Sequence, residues 1–306
     1  MDYSSGKLFL FGALLVLAAA TAEGLIRAYA LRAPYDWRGY FASVGIFIGR
    51  RLIDTLPLGL AISAYGWVWE HRLFTVPIAT WWGIALLFLG QEFCYYWMHR
   101  ADHEIRWFWV NHSVHHSPNR INFSTAFRLG WTGQISGQMA FFLPLMWLGF
   151  PPQAVLAMFG LNLLYQFWIH AEWIPKLGPL EWVLNTPSHH RVHHASNVEY
   201  LDANYGGVLI VFDRLFGTFI EERADLPCRY GLVKPLNSFN PLVIAFHEWG
   251  NMIRDVVNAP TWHARLMHVV GRPGWRPNGQ SETTADMRRR AAAAADAAAS
   301  AQPASA

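Results

Sequence analysis

Five stretches of this chain are long and apolar: Leu8 to about Ala28, Leu52 to about Trp69, Ile78 to about Trp97, Gly133 to Leu148 and Gln153 to Ile169. A membrane span needs about 20 mostly apolar residues, and its backbone polar groups must be bonded within the segment, which dictates helices. Only 15% of the chain is charged, against roughly 25% in an ordinary soluble domain. The expected fold is therefore an all-α integral membrane protein with about four to five membrane helices. The first stretch has the look of a signal peptide, but its apolar character continues past Glu23 and further apolar segments follow. It is read as an anchor that stays.

The fourth and fifth stretches are separated only by "GFPP", and two prolines there force a tight reversal. The third stretch delivers the chain to His99, and the hairpin returns it to His170 on the same side. That side also carries Arg100, Arg106, Arg120, Arg128 and Arg191, while the reversal carries no charge. Basic residues mark the cytoplasmic face of a membrane protein, so the histidine-rich segments are expected there, in a helical cap. A net charge of +3 gives no reason to expect a nucleic-acid partner. Cys94 and Cys228 are far apart and in no motif, and are read as reduced. From about Asn258 the chain reads as loop-like, ending in an alanine-rich tail that is either a frayed helix or disordered.

Histidine is concentrated as sharply as the apolar residues are. His99, His103, His112, His115 and His116 lie within 18 residues, and His189, His190, His193 and His194 within six. Uniform scatter of 14 histidines over 306 residues would put about one in those 24 positions. His99 and His103 are four apart and share a helical face. His112, His115 and His116 follow an i, i+3, i+4 pattern, which His190, His193 and His194 repeat. Each triplet is expected to put three imidazoles on one face, as convergent metal ligation requires. Eight imidazoles exceed what one ion takes and suit two. His170 closes the fifth stretch and is a ninth candidate. His189 is either a ligand or a support for a neighbour. Imidazole suits iron, zinc and copper alike. Isolated histidines such as His71, His247, His263 and His268 are read as ordinary polar residues.

"HRADH", "HSVHH" and "HRVHH" together resemble the histidine boxes of the fatty acid hydroxylase/sterol desaturase superfamily. Longer stretches, "HSVHHSPNRINFSTAFR", "NLLYQFWIHAEWIPKLGPLEWVLNTPSHHRVHH" and "NYGGVLIVFDRLFGTFIEE", are similar to its alkylglycerol monooxygenase-like branch. The similarity runs from about Trp81 to Trp249. It implies three regions: N-terminal membrane helices over 1–75, a fatty acid hydroxylase-type catalytic domain over 76–257, and a C-terminal segment over 258–306. It implies two iron ions, dioxygen as co-substrate and a lipid substrate taken from the bilayer. The eight motif histidines carry over as metal ligands. The branch uses tetrahydrobiopterin, and Glu104, directly after the first box, carries over as a candidate pterin contact.

Histidine ligands usually donate their other ring N–H to a carboxylate or carbonyl. Asp102, Glu104, Asp202 and Asp213 are candidates for that role, beside the plainer reading of surface or capping acids. "NYGG" (Asn204–Gly207) offers either close backbone approach to the site or a plain turn. Two other functions stand beside the ether-lipid reading. One is hydroxylation or desaturation of a sterol, fatty acyl chain or carotenoid, with a ferredoxin- or cytochrome-type electron-donor protein. The other is a metal transporter or sensor, which should carry polar ligands in mid-span; here the spans offer only Glu23, Arg27, Gln91 and Glu92.

Overall fold

A computed structural model describes residues 3–55, 60–277 and 279–301. Among these residues the chain is helical, with no strand and only two isolated bridges, Leu184 to Leu209 and Ala195 to Tyr230. Helix α1 (Tyr3–Leu25) runs into a π-helical turn over Ile26–Ala30. The stretch 11–30 is the one described segment with the length and apolarity to cross a membrane. Helix α2 (Trp37–Asp54) starts where the Asp36 side chain accepts from Gly39 N. Helix α3 spans Leu60–Glu70. Of the second apolar stretch, the described residues put Leu52–Asp54 at the end of α2 and Leu60–Trp69 in α3, and residues 56–59 lie outside the described residues.

Helix α4 (Trp81–Glu104) begins at a Thr80 cap and continues past the apolar stretch to carry His99 and His103. A single extended residue, Ile105, separates it from α5 (Arg106–His112). The fourth apolar stretch is also divided, into α6 (Gly133–Ser136), a 3-10 turn over Gln138–Phe142, and α7 (Leu143–Leu148). The break is at Gly137, where φ is +81°, a conformation no continuing helix adopts. Helix α8 (Pro152–Ile169) follows the expected reversal. Gly149 turns there with φ of +112°, and a Cβ on it would sit 2.4 Å from the Phe74 carbonyl oxygen. Helix α8 ends at His170, which caps it.

Helices α9 (Pro187–His193) and α10 (Val211–Phe216) are short. The segment after Asn258 is not the expected loop. Helix α11 (Pro241–Asn258) is followed by α12 (Trp262–Val270) and α13 (Thr284–Ala301), the last rich in alanine, the strongest helix former. An apolar core joins α3, α4, α7 and α8 through Tyr65, Leu87, Tyr95, Met98, Phe142, Met146 and Val155. Buried Glu23 fastens α1 to the rest: Oε2 accepts from Phe123 N and Oε1 from Trp173 Nε1, both at 2.9 Å. Cys94 and Cys228 are free thiols.

Candidate metal centre

Nine histidines meet at the end of α4, the turn after α5, the end of α8 and α9. They form two groups. His99, His103, His112, His116 and His193 are one; His115, His170, His190 and His194 are the other, and in each the candidate ligand atoms lie within 4.8 Å of one another. His112 is partly exposed, and the other eight are buried. The grouping corrects the expectation that each triplet converges as a unit. In both triplets the i and i+4 histidines stay together and the i+3 histidine joins the other group. The geometry explains this: around a helix axis, i+3 falls about 60° to one side of i and i+4 about 40° to the other.

Backbone carbonyls set the ring orientation. His99 Nδ1–H donates to Tyr205 O at 2.8 Å, His193 Nδ1–H to Ala203 O at 2.9 Å, and His170 Nδ1–H to Gln166 O at 2.7 Å. In a neutral imidazole this leaves Nε2 as a bare lone pair. Those lone pairs point at other ring nitrogens. His170 Nε2 is 3.2 Å from His115 Nε2 and 2.9 Å from His190 Nε2. His112 Nε2 is 3.1 Å from both His99 Nε2 and His116 Nε2. His103 Nε2 and His193 Nε2 are buried with no hydrogen-bond partner.

Such an arrangement is unfavourable for imidazoles alone, since buried polar atoms are normally paired. It suits a cation. Two nitrogens bound at about 2.0–2.1 Å to one ion, with roughly 90–109° between them, lie about 2.9–3.4 Å apart. The observed spacings of 2.9–3.2 Å fall in that range. Burial also keeps the rings neutral, as ligands must be. It pushes His170 down to about 4, and with repulsion from His103 it pushes His99 down to about 3. Burial and the neighbouring rings hold His112, His115, His116, His190, His193 and His194 well below the ordinary value.

The acids around the groups differ in role. Asp202 Oδ1 is 3.3 Å from His103 Nδ1. Asp102 Oδ2 is 3.7 Å from His112 Nδ1, while its Oδ1 accepts from Gln138 Nε2 at 2.6 Å. Asp213 touches no imidazole; it accepts from Tyr205 N and Gly206 N, and so holds the peptide whose carbonyl orients His99. Glu104 accepts from Arg100 Nε at 2.9 Å and from Arg272 Nη2 at 3.3 Å. His189 joins neither group and stacks edge-on against Phe219, with Nε2 3.9 Å from Glu181.

Two supports had not been expected from the sequence. Gln138 positions Asp102, and Glu92 accepts from Val208 N and Leu209 N at 2.8 and 2.9 Å, fixing the loop after Tyr205. The signal for Glu92 was its place inside an apolar helix, where an acid persists only with partners. The "NYGG" glycines are closely packed, but against neighbours other than the imidazoles: a Cβ on Gly206 would lie 2.2 Å from Leu209 O, and one on Gly207 2.1 Å from Asn162 Nδ2.

Comparison with known proteins bears on this centre directly. Residues 84–218 match the model of the fatty acid hydroxylase family. The chain is 40% identical over 236 residues to an alkylglycerol monooxygenase of Xenopus tropicalis, covering 77% of this chain and 52% of that protein. The human alkylglycerol monooxygenase is 42% identical over 236 residues, with the same coverage. An ornithine lipid hydroxylase of Rhizobium tropici is 30% identical over 178 residues, 57% of this chain and 53% of that protein. The chain thus spans about half the length of these curated relatives. No solved structure matches it. All nine clustered histidines fall inside the matched region, so the chain carries a fatty acid hydroxylase family domain and the whole centre lies within it.

Proposed function

We propose that this chain is a membrane-bound oxygenase that hydroxylates a C–H bond of a lipid, with two iron ions held at the two imidazole groups. The observation that carries the reading is the convergence of nine histidines into a five and a four, each compact enough to surround one ion. His99, His103, His112, His116 and His193 would hold one ion, and His115, His170, His190 and His194 the other. Bound there, an iron pair supplies dioxygen activation for C–H hydroxylation. The chain's own residues do the rest. The Tyr205, Ala203 and Gln166 carbonyls hold His99, His193 and His170 with Nε2 turned inward. Asp202 and Asp102 lie beside His103 and His112. Burial of the rings keeps water out and leaves the ligands uncharged.

The substrate class that similarity favours is an ether lipid, because the relatives at 40% and 42% identity are alkylglycerol monooxygenases. Oxygen inserted next to the ether oxygen gives a hemiacetal, which falls apart to an aldehyde and the free glycerol hydroxyl. The second oxygen atom leaves as water, and the two electrons this needs come from tetrahydrobiopterin, with Glu104 as its candidate contact. A second reading takes support from the ornithine lipid hydroxylase relative. In it another lipid is hydroxylated and a ferredoxin- or cytochrome-type protein supplies electrons. In either case the arginines near the histidines support a centre that faces the cytoplasm.

The test uses anaerobically purified, iron-loaded protein in detergent, with a 1-O-alkylglycerol, tetrahydrobiopterin and oxygen. Fatty aldehyde that requires all three supports the ether-lipid reading. Folded protein with about two irons per chain and no aldehyde rejects that substrate and leaves the oxygenase. Folded protein that takes up no iron rejects the metal assignment.

A further inference from the structure

One short loop sets most of the rings of the five-histidine group. Asp202 Oδ1 lies 3.3 Å from His103 Nδ1, Ala203 O accepts from His193 Nδ1–H at 2.9 Å, and Tyr205 O accepts from His99 Nδ1–H at 2.8 Å. Three of the five imidazoles thus take their orientation from residues 202–205. The supports of the four-histidine group, the Gln166 carbonyl on His170 and the Arg128 backbone at His115, lie elsewhere. Asp202 and Asn204 have φ of +53° and +57°, a left-handed conformation that is unfavourable with a Cβ and persists where the surroundings fix it.

The far end of the loop is fixed locally. Asn204 Nδ2 donates to His189 O and Ile220 O, and Asp213 accepts from Tyr205 N and Gly206 N. The near end is fixed by α13, which lies outside residues 84–218 that match the family model. Arg288 Nη2 donates to Leu201 O at 2.6 Å, with longer contacts from Nη2 to Glu199 O at 3.5 Å and from Nε to Val198 O at 3.4 Å. One turn earlier on the same helix face, the Thr284 side chain bonds the Asp202 carboxylate. A capping bond sets where this helix starts: Asp286 Oδ2 accepts from Thr283 N at 3.2 Å and from Thr283 Oγ1 at 2.5 Å. Arg288 turns to the loop, whereas Arg289 bonds Asp286 and Arg290 bonds Ser281 O.

We infer that α13 is a clamp on the metal centre, and that Arg288 and Thr284 are positioning residues for the ion of the five-histidine group. Arg288 pins the turn before Asp202, and Thr284 holds the carboxylate against His103. With the helix docked, the loop presents Asp202 to His103 and its carbonyls to His193 and His99. With the helix displaced, those rings lose their partners while the four-histidine group keeps its own. The inference rests on the metal reading above and names which of the two ions an element outside the family domain controls.

Release of iron tests the clamp. Iron-loaded full-length protein in detergent is mixed with a chelator that colours on taking up ferrous iron, and each ion is followed as one phase. Arg288→Ala should speed one phase about three- to ten-fold, less than the 10–100-fold of a residue that bonds a ligand itself. It should be the phase that Asp202→Ala also speeds, with the other phase unchanged. Thr284→Val should speed the same phase about two- to five-fold and add nothing once Asp202 is replaced, since residues acting through one group are not additive. Arg288→Lys and Thr284→Ser keep a donor and should recover most of the wild-type rate. Arg290→Ala removes the same charge from the same helix and should release iron as the wild type does. Unchanged release in Arg288→Ala overturns the assignment. So do two phases speeded alike, or an Arg290→Ala that matches Arg288→Ala, because α13 would then be a general support. Hydrogen exchange on metal-free protein keeps the clamp separate from the metal reading. The amides of residues 204–206 should exchange roughly three-fold faster or more in Arg288→Ala, as a local opening does, with the other helices protected as before. Faster exchange there in a protein that takes up no iron upholds the clamp and counts against the metal reading. Unchanged exchange overturns the clamp whatever the iron does.

Discussion

The two imidazole groups look alike in composition and differ in what stands behind them. The five-histidine group has carboxylates at its back, Asp202 beside His103 and Asp102 beside His112. The four-histidine group has none within ion-pair distance among the described residues; backbone stands there instead, the Gln166 carbonyl on His170 and the Arg128 backbone at His115. A carboxylate behind an imidazole raises ligand basicity and offsets the charge of a bound cation. Two ions of the same metal would therefore sit in unequal fields, the first held more tightly and the second more electron-poor. Symmetry of ligand type does not bring symmetry of chemistry.

The largest effect that sharpens this contrast comes from removing a ring. His193→Ala should empty the five-histidine group and His170→Ala the other, each costing about one of two irons and dropping turnover to background. Metal analysis of folded protein checks it. If His193→Ala and His170→Ala each strip both irons, the groups are one cooperative site and the division fails; if either keeps both, that ring is not a ligand.

A smaller effect follows from the carboxylates. Asp202→Asn and Asp102→Asn should weaken one ion by about 10–100-fold, the usual range for an outer partner of a metal ligand, and leave the other unchanged. Stepwise removal by a chelator reads this out. Equal weakening of both ions would mean the carboxylates serve the fold rather than one group.

How far the sequence could be read follows from the same residues. The identity of the histidines was legible, since an i, i+4 pair on a helix shares a face whatever surrounds it. His170 was legible because the GFPP reversal returns α8 to the side where α4 ends. The exchange of His115 and His193 between groups was not, since it depends on how α9 is set against the turn after α5. An apolar stretch misled where glycine intervened: hydropathy over 133–148 is continuous, but Gly137 at φ +81° divides the backbone. Asp213 was read as a candidate carboxylate behind a histidine, but its oxygens accept from Tyr205 N and Gly206 N and bear on His99 only one peptide removed, through Tyr205.

Acid should expose the cost of assembling the rings. Folded metal-free protein holds His99 and His170 at about 3 and 4, while the unfolded chain binds protons near 6.5. Below that value the unfolded state takes up more protons, so stability falls as pH falls from about 6.5 towards 4. The melting temperature of metal-free protein should drop steeply between about pH 6.5 and 4. Iron-loaded protein should resist until the ligands are protonated off the metal. A flat profile for the metal-free form would mean the rings are wetter than their burial indicates.

The smallest effect tests the loop that only one group depends on. A methyl at Gly207 would lie 2.1 Å from Asn162 Nδ2, the atom that donates to Glu92 Oε1. Glu92 in turn holds Val208 N and Leu209 N, and Asn185 Nδ2 holds the Gly206 and Gly207 carbonyls. Gly207→Ala should therefore cost about 1–3 kcal/mol of stability, as overpacking does. Its functional effect should pass through the Tyr205 carbonyl to His99 and weaken the ion of the five-histidine group a few-fold. Chelator kinetics on this variant, read beside those of Asp202→Asn, separate orientation of a ring from charge behind it. A lower melting temperature with both ions held as in the wild type would show that the loop supports the fold without steering His99.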